Sequence, residues 1–375
     1  MSEAIKTLIE DEFRWFHRHP ELSMQEFKTT ERLKADLTKA GIRILDFPLK
    51  TGVVAEIGEG DKITALRADI DALPVTEATN LAYQSQTCGV MHACGHDFHA
   101  ATILGAALFL KDREKELKGR VRVIFQPGEE LPGGANEIIR AGALHGVSAI
   151  FGIHTIINYP VGTLVIREGA THAAVDRFAL TFKGKGTHAA HPDKGIDITV
   201  AAGQFLTAVQ TIVSRNSDPF ATNLVSVTHF EAGNAWNVIP ETAFLEGTIR
   251  TMTKADRAMV KSRFTALAQN MAVAFGATAE IKWVTELPAM DNDPGLTAFA
   301  SDLARKEGFT VEKGRPSLGG EDFALYEELV PGAFIQIGSG NSAPNHNPSF
   351  VVDPAAIYPA ARFMAHLAQA YLERA

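Results

Sequence analysis

Cys94 and His96 stand two residues apart in the segment Met91-His-Ala-Cys-Gly-His-Asp97. A thiolate suits the softer divalent metals, and an imidazole suits zinc, manganese, iron or nickel, so the pair reads as part of a metal site. Alone it is a weak signal, because a buried cysteine beside a structural histidine has the same spacing. Three other features shift the balance. Glu129 and Glu130 follow an apolar run at residues 121–125 and a Pro127-Gly128 break. Adjacent carboxylates there are unfavourable for folding alone. They make sense if one binds a metal and the other takes a proton from a water whose pKa the metal lowers. Spacing leaves open which does which, and a solvated acidic loop is the plain alternative. His154 ends the apolar run Ala149-Ile-Phe-Gly-Ile153 and is expected at the rim of a sheet. His346 lies in Asn345-His-Asn-Pro-Ser-Phe350, a proline-punctuated loop where a simple turn histidine would look the same.

The elements that must carry these residues are legible from periodicity. Residues 3–40 read as helix interrupted near Pro20, and Gly41 stops it. Residues 53–57, 63–67, 121–125 and 149–153 are short apolar strands. Residues 100–111 form a strongly apolar helix, with Asp97 expected as a cap near its start. Apolar strands alternating with helices predict an α/β fold with a mostly parallel, mixed sheet flanked by helices. Arg67-Ala-Asp69, Gln126-Pro-Gly-Glu-Glu130 and His154 each follow such a strand, and sites in open α/β sheets form outside the carboxyl ends of strands. From about residue 172 the pattern changes. An alternating strand at 175–183, a helix at 195–215, paired strands at 223–230 and 242–251, a helix at 254–275 and a strand at 279–284 describe an inserted α+β domain. The expected division is 1–173 with 286–375 for the first domain and 174–285 for the second.

Composition narrows the function classes. The chain of 375 residues is 46% hydrophobic and 21% charged, which supports a large core and shows no disorder signature. The net charge of −8 opposes phosphate backbones, so nucleic acid is not an expected partner. Two cysteines, Cys88 and Cys94, are no disulfide framework. No apolar run approaches the roughly 20 residues of a membrane-spanning helix, and the first residues lack the apolar core of a signal peptide. The expected location is the cytoplasm, with no membrane partner.

Motifs in order along nearly the whole chain resemble one family: the aminoacylase/carboxypeptidase amidohydrolases that include hippurate hydrolases, N-acetyldiaminopimelate deacetylases and auxin-conjugate hydrolases. They are Trp15-Phe-His-Arg-His-Pro-Glu21, Leu66-Arg-Ala-Asp-Ile-Asp-Ala-Leu-Pro74, Met91-His-Ala-Cys-Gly-His-Asp97 and Gln126-Pro-Gly-Glu-Glu130. Gly184-Lys-Gly-Thr-His-Ala-Ala190, Asn237-Val-Ile-Pro240, Gly247-Thr-Ile-Arg250 and Gly319-Gly-Glu-Asp-Phe323 continue the series.

The resemblance implies a zinc-peptidase-like catalytic domain with two divalent metal ions per subunit, Mn2+ or Zn2+ before Co2+ or Ni2+. The implied ligands are Cys94, His96, Glu130, His154 and His346, with Cys94 bridging. It makes Glu129 the general base and His188 the donor to the oxyanion, reaching a partner subunit's site. The inserted domain then serves as lid and dimerisation unit, giving a homodimer or higher homo-oligomer. Asn237 and Arg250 are implied contacts for a substrate carboxylate, which arginine can grip in bidentate fashion. Asp69 and Asp97 are implied to orient ligands from behind. His92, His99 and Cys88 are read as structural. The implied reaction is hydrolysis of the amide of an N-acyl amino acid. A dipeptidase or carboxypeptidase is the runner-up, and a non-catalytic metal-dependent binding protein or a Cys94 thiol enzyme stands further off. Two departures from the family pattern are visible. Leu131-Pro-Gly-Gly134 replaces a run of glycines, which predicts a stiffer loop, and Ala170-Thr-His-Ala-Ala-Val175 lacks a proline expected near the lid hinge.

Overall fold

The computed structural model describes residues 2–131 and 133–374. Pro132, on which the expectation of a stiffer loop rests, lies outside them. The chain forms two compact units. The first is Met1–Gly169 with Asp291–Arg315 and Asp322–Ala375, and the second is Ala170–Met290 with Pro316–Glu321.

The first unit opens with α1 (Ser2–Arg18) and α2 (Phe27–Lys39), followed by strands β1 (Arg43–Ile44), β2 (Val53–Gly58) and β3 (Ile63–Asp69). Then come α3 (His96–Asp112), β4 (Arg120–Gln126), α4 (Gly134–Arg140), β5 (Val147–Ile156) and β6 (Thr163–Ile166). The later part adds α7 (Pro294–Lys306), β15 (Thr310–Glu312), α8 (Ala324–Glu327), β16 (Gly332–Gly338) and α9 (Ile357–Leu372). The strands form one eight-stranded mixed sheet in the order β1-β2-β4-β3-β5-β16-β6-β15. Its centre, from β4 through β3 and β5 to β16, is parallel. β3, β4 and β5 are buried through almost their whole length because both faces are covered. α3 is buried nearly all round, as a helix apolar on every side must be, and packs against α1, α9 and the sheet.

The expected mixed, largely parallel α/β sheet is therefore present, with two local corrections. α3 begins at His96, four residues before the apolar run, and its cap position is Gly95 in the left-handed region at φ 89. Asp97 thus lies inside the first turn instead of capping it. β5 continues past the apolar run to Ile156, because β16 supplies parallel partners as far as Gly338↔Ile156. His154 is therefore within a strand, three residues from its end counting both.

In the second unit the chain runs from β7 (Gly169–His172) through β8 (Ala174–Lys183), β9 (Thr187–His188), α5 (Ile198–Ala208), β10 (Asn223–Ala232), β11 (Val238–Ile239) and β12 (Thr242–Thr251). α6 (Lys254–Ala274) and β13 (Thr278–Leu287) complete it, and β14 (Met290–Asn292) carries the chain back into the first unit. An antiparallel sheet of order β10-β12-β8-β13 buries alternate side chains against α5 and α6. The helix expected over 195–215 ends at Ala208, and a π-helical turn at Ile212–Asn216 follows. Residues 316–321 cluster here because Ser317 bridges to His172 and Gly320 packs on Val175 and Leu287.

Candidate metal centre

The ends of the parallel strands bring Cys94, His96, Glu129, Glu130, His154 and His346 together in the first unit. Donor atoms of Cys94, His96 and His154 lie within 4.8 Å of one another, as do those of Cys94, Glu130 and His346 and those of His96, Glu129 and Glu130. Cys94 belongs to two of these groups. Gly95 makes the close approach possible: a Cβ there would stand 2.7 Å from Thr155 Oγ1, and its φ of +89 suits glycine. His346 holds the left-handed conformation at φ 67 without being glycine, and its N–H donates to Ala93 O at 2.7 Å. A strained backbone held in this way is a mark of functional sites.

The hydrogen bonds decide which ring nitrogens face the cluster. His154 Nδ1 donates to Thr155 O at 2.7 Å, which leaves Nε2 as the lone-pair atom, 3.5 Å from Cys94 Sγ. His96 Nδ1 donates to Asp71 Oδ1 at 3.1 Å. Its Nε2 is buried without a hydrogen-bond partner among the described residues, 3.9 Å from Glu130 Oε1. A buried polar atom is normally satisfied, so an aimed, unpartnered nitrogen calls for a ligand. His346 Nε2 stands 3.2 Å from Glu130 Oε1. Thiolate, imidazole and carboxylate donors converging in this way fit divalent cations.

The electrostatics agree with that fit. Burial opposes charge on His96, yet the carboxylates of Asp69 and Asp71 hold its pKa well above the usual imidazole value. The same field favours a metal cation at this point. Burial also pushes the Cys94 thiol up, so a cation bound there must displace its proton. Glu130 is held below its ordinary value against burial, chiefly by His346 and His96.

Three of the groups behind the candidate ligands carry more than the sequence revealed. Asp71 was overlooked. It accepts from His96, from the Glu130 N–H at 3.1 Å and from Ser23 Oγ at 2.6 Å. The signal was its position two residues after Asp69, on the same side of an extended chain. Asn345 was also overlooked, and its Nδ2 donates to Cys94 Sγ at 3.3 Å. His99, read as structural, donates to Asp69 Oδ1 at 2.6 Å and accepts from the Thr155 N–H. Burial lowers its pKa to about 3, so it stays neutral. Asp69 lies 3.8 Å from His96 Nδ1 and also accepts from Arg67 Nη1 at 2.7 Å.

Asp97 bonds to another histidine. Its Oδ2 accepts from His17 Nδ1 at 2.7 Å, and His17 Nε2 lies 3.2 Å from Glu77 Oε1. Burial works against charge on His17, but the two carboxylates raise its pKa to about 9. A group whose folded pKa lies above its unfolded value stabilises fully below the unfolded pKa and stops doing so as pH rises through the folded one. Wild type is therefore expected to lose roughly 3 kcal/mol of stability between about pH 6.5 and pH 9 from this group. Urea denaturation at both pH values, compared with His17→Gln, checks it; equal losses in the two proteins would remove His17 as the cause.

The remaining candidates belong to the second unit. His188 on β9 is exposed and has Val238 of β11 as its register partner, and the Ala189 N–H donates to Asn237 O at 2.9 Å. His188 and Asn237 therefore share one short ribbon. His188 Nδ1 accepts from the Ala190 N–H at 3.1 Å, which puts the proton of the neutral ring on Nε2. Arg250 on β12 donates to Leu318 O at 3.3 Å, and partial burial lowers its pKa.

Comparison with known proteins points the same way. Residues 65–370 match the family described as Peptidase family M20/M25/M40. The chain is 46% identical over 374 residues to N-acetylcysteine deacetylase of Bacillus subtilis, covering 99% of this chain and 98% of that protein. A second Bacillus subtilis protein, N-acetyl-L-cysteine deacetylase, is 44% identical over 363 residues, covering 96% of this chain and 87% of it. A Bacillus subtilis crystal structure described as a dinuclear metal binding peptidase from the M20 family superposes with a TM-score of 0.89 at 44% identity, covering 99% of each chain. The chain belongs to peptidase family M20/M25/M40.

Proposed function

We propose that this protein is a metal-dependent amidohydrolase that cleaves the amide of small N-acyl amino acids, N-acetylcysteine among them, to a carboxylate and a free amino acid. The observation that carries the reading is the pair of donor groups sharing Cys94, with Glu129 beside them. Cys94, His96, Glu130, His154 and His346 would hold two divalent ions, manganese or zinc before cobalt or nickel. Bound there, such ions supply Lewis-acid charge that makes water acidic and polarises an acyl carbonyl.

The chain's own residues do the rest. Glu129 takes a proton from the attacking water as its oxygen adds to the acyl carbon. It then delivers that proton to the amide nitrogen as the C–N bond breaks. His188 presents its Nε2–H to the oxyanion, contributed by a second copy of the chain. Asn237 and Arg250 hold the substrate carboxylate, and Asp69 fixes ligands from behind.

A dimer through the second unit suits its surface. β10 is an edge strand, and Phe230, Val200 and Val238 are exposed on this unit together with Trp236, which is 95% exposed. Among the described residues no helix is long and apolar enough to cross a membrane, and the cytoplasm is the location we propose.

The test is a substrate screen of N-acetyl, N-benzoyl and longer N-acyl amino acids alongside dipeptides, with manganese or zinc supplied. N-acyl amino acids should give the higher kcat/KM. A preference for dipeptides would replace this reading with a dipeptidase or carboxypeptidase, and no hydrolysis at all would leave a metal-dependent binding protein.

A further inference from the structure

Among the described residues of the loop after β4 none pairs with a strand, yet the backbone around Glu129 is tightly held. The Gly128 N–H donates to Glu26 Oε1 at 2.9 Å, and the Glu130 N–H donates to Asp71 Oδ2 at 3.1 Å. The amides on both sides of Glu129 therefore end on buried carboxylates. Both carboxylates trace back to one turn between α1 and α2. Glu26 is fully buried; its Oε1 also accepts from the Met24 N–H at 2.8 Å, and its Oε2 accepts from Thr51 Oγ1 at 2.8 Å. Ser23 Oγ donates to Asp71 Oδ2 at 2.6 Å. The turn is itself pinned beside Asp71, because Leu22 bridges to Ala72 and the Ala72 N–H donates to Glu21 O at 2.8 Å.

Packing closes the same contact. Met24 adopts φ 63, and its Sδ sits where a Cβ on Gly128 would be only 2.6 Å away. Gly134 is as constrained, since a Cβ there would stand 1.9 Å from Pro127 O. The loop has little room to shift unless the turn shifts with it.

We infer that the turn Leu22–Glu26 is the positioning element of the Glu129–Glu130 pair. Glu26 holds the amide before Glu129, and Ser23 holds the amide after it by way of Asp71. Glu26 is a positioning residue: it touches neither substrate nor ligand and acts through Gly128. The inference rests on the proposed role of Glu129. What matters in Glu26 is the reach of its acceptor oxygen, because both N–H donors share Oε1 and Thr51 can turn its hydroxyl to accept instead of donate.

Two substitutions separate reach from charge. Glu26→Gln keeps the length and an acceptor oxygen but loses the charge. Glu26→Asp keeps the charge and retracts the oxygen by one carbon. The full chain carrying each, and Ser23→Ala, is read in three ways: hydrogen exchange of a peptide spanning 127–131, metal retained against a chelator by elemental analysis, and kcat and KM. Thermal melting confirms that each variant is folded. Glu26→Gln should match wild type in all three. Glu26→Asp should exchange faster in that peptide and lose about 10- to 100-fold in metal affinity or kcat with KM unchanged. Ser23→Ala should fall in between. A folded Glu26→Asp with wild-type exchange and kcat, or a Glu26→Gln that falls further than Glu26→Asp, overturns the inference. Wild type inert on every acyl amino acid would instead remove the functional reading, and the exchange of 127–131 would still decide the clamp.

Discussion

Glu129→Gln is expected to lower kcat by about 100- to 10,000-fold while the protein keeps its metal and its KM. The amide has the shape of the carboxylate but cannot take a proton from water or return one to the leaving nitrogen. Glu130→Gln should behave differently. Glu130 Oε1 lies among the donor atoms, 3.2 Å from His346 Nε2, and its N–H is fixed by Asp71. Loss of its charge should therefore show first as lost metal and only through that as lost activity. Elemental analysis and steady-state kinetics on the two purified variants separate the roles that adjacent glutamates leave ambiguous. The assignment is reversed if Glu129→Gln loses metal and Glu130→Gln keeps it while losing kcat.

Arg67→Met is expected to cost about 3–5 kcal/mol of the first unit's stability. Arg67 has no exposed surface, and its guanidinium donates to Asp69 at 2.7 Å, to Asp322 at 2.7 Å and to Gln126 at 2.9 Å. Asp322 also accepts from Gln126 Nε2 and from the Ala135 N–H. Methionine fills much of the volume but removes every donor, and two buried carboxylates then lose their shared cation. Burial opposes charge on Asp69, and the charge on His96, the N–H donated by neutral His99 and the Arg67 guanidinium hold its pKa well below the carboxylate range. Removing one of them weakens the group that stands behind His96 and His99. Urea denaturation followed through exchange protection of the β3 amides measures the cost. A loss below about 1 kcal/mol, the worth of an ordinary surface pair, would show that the network does not support the sheet.

How much of this was legible in the sequence follows from the range of the interactions. The strands showed because β3, β4 and β5 are dominated by apolar residues over short runs, and the five candidate donors stood out because each sits in a local motif at a strand end or loop. Their convergence depended on the rule that sites gather at the carboxyl ends of parallel strands. What stayed hidden depends on distant partners. Asp97 looked like a cap because the helix was read from its apolar run, whereas α3 starts at the left-handed Gly95, pressed against Thr155. β5 outlasts its apolar stretch because β16 lends it hydrogen bonds. Glu26 sits in a polar stretch, and nothing local says that it is buried against Gly128, 102 residues away. Asn345 and Cys94 meet across 251 residues.

The most direct test of the account is the metal content of the active protein. Purified wild type should carry two divalent ions per chain, lose both hydrolysis of N-acetylcysteine and metal together on chelation, and regain both with manganese or zinc. Undiminished hydrolysis by protein that elemental analysis finds free of metal would contradict it.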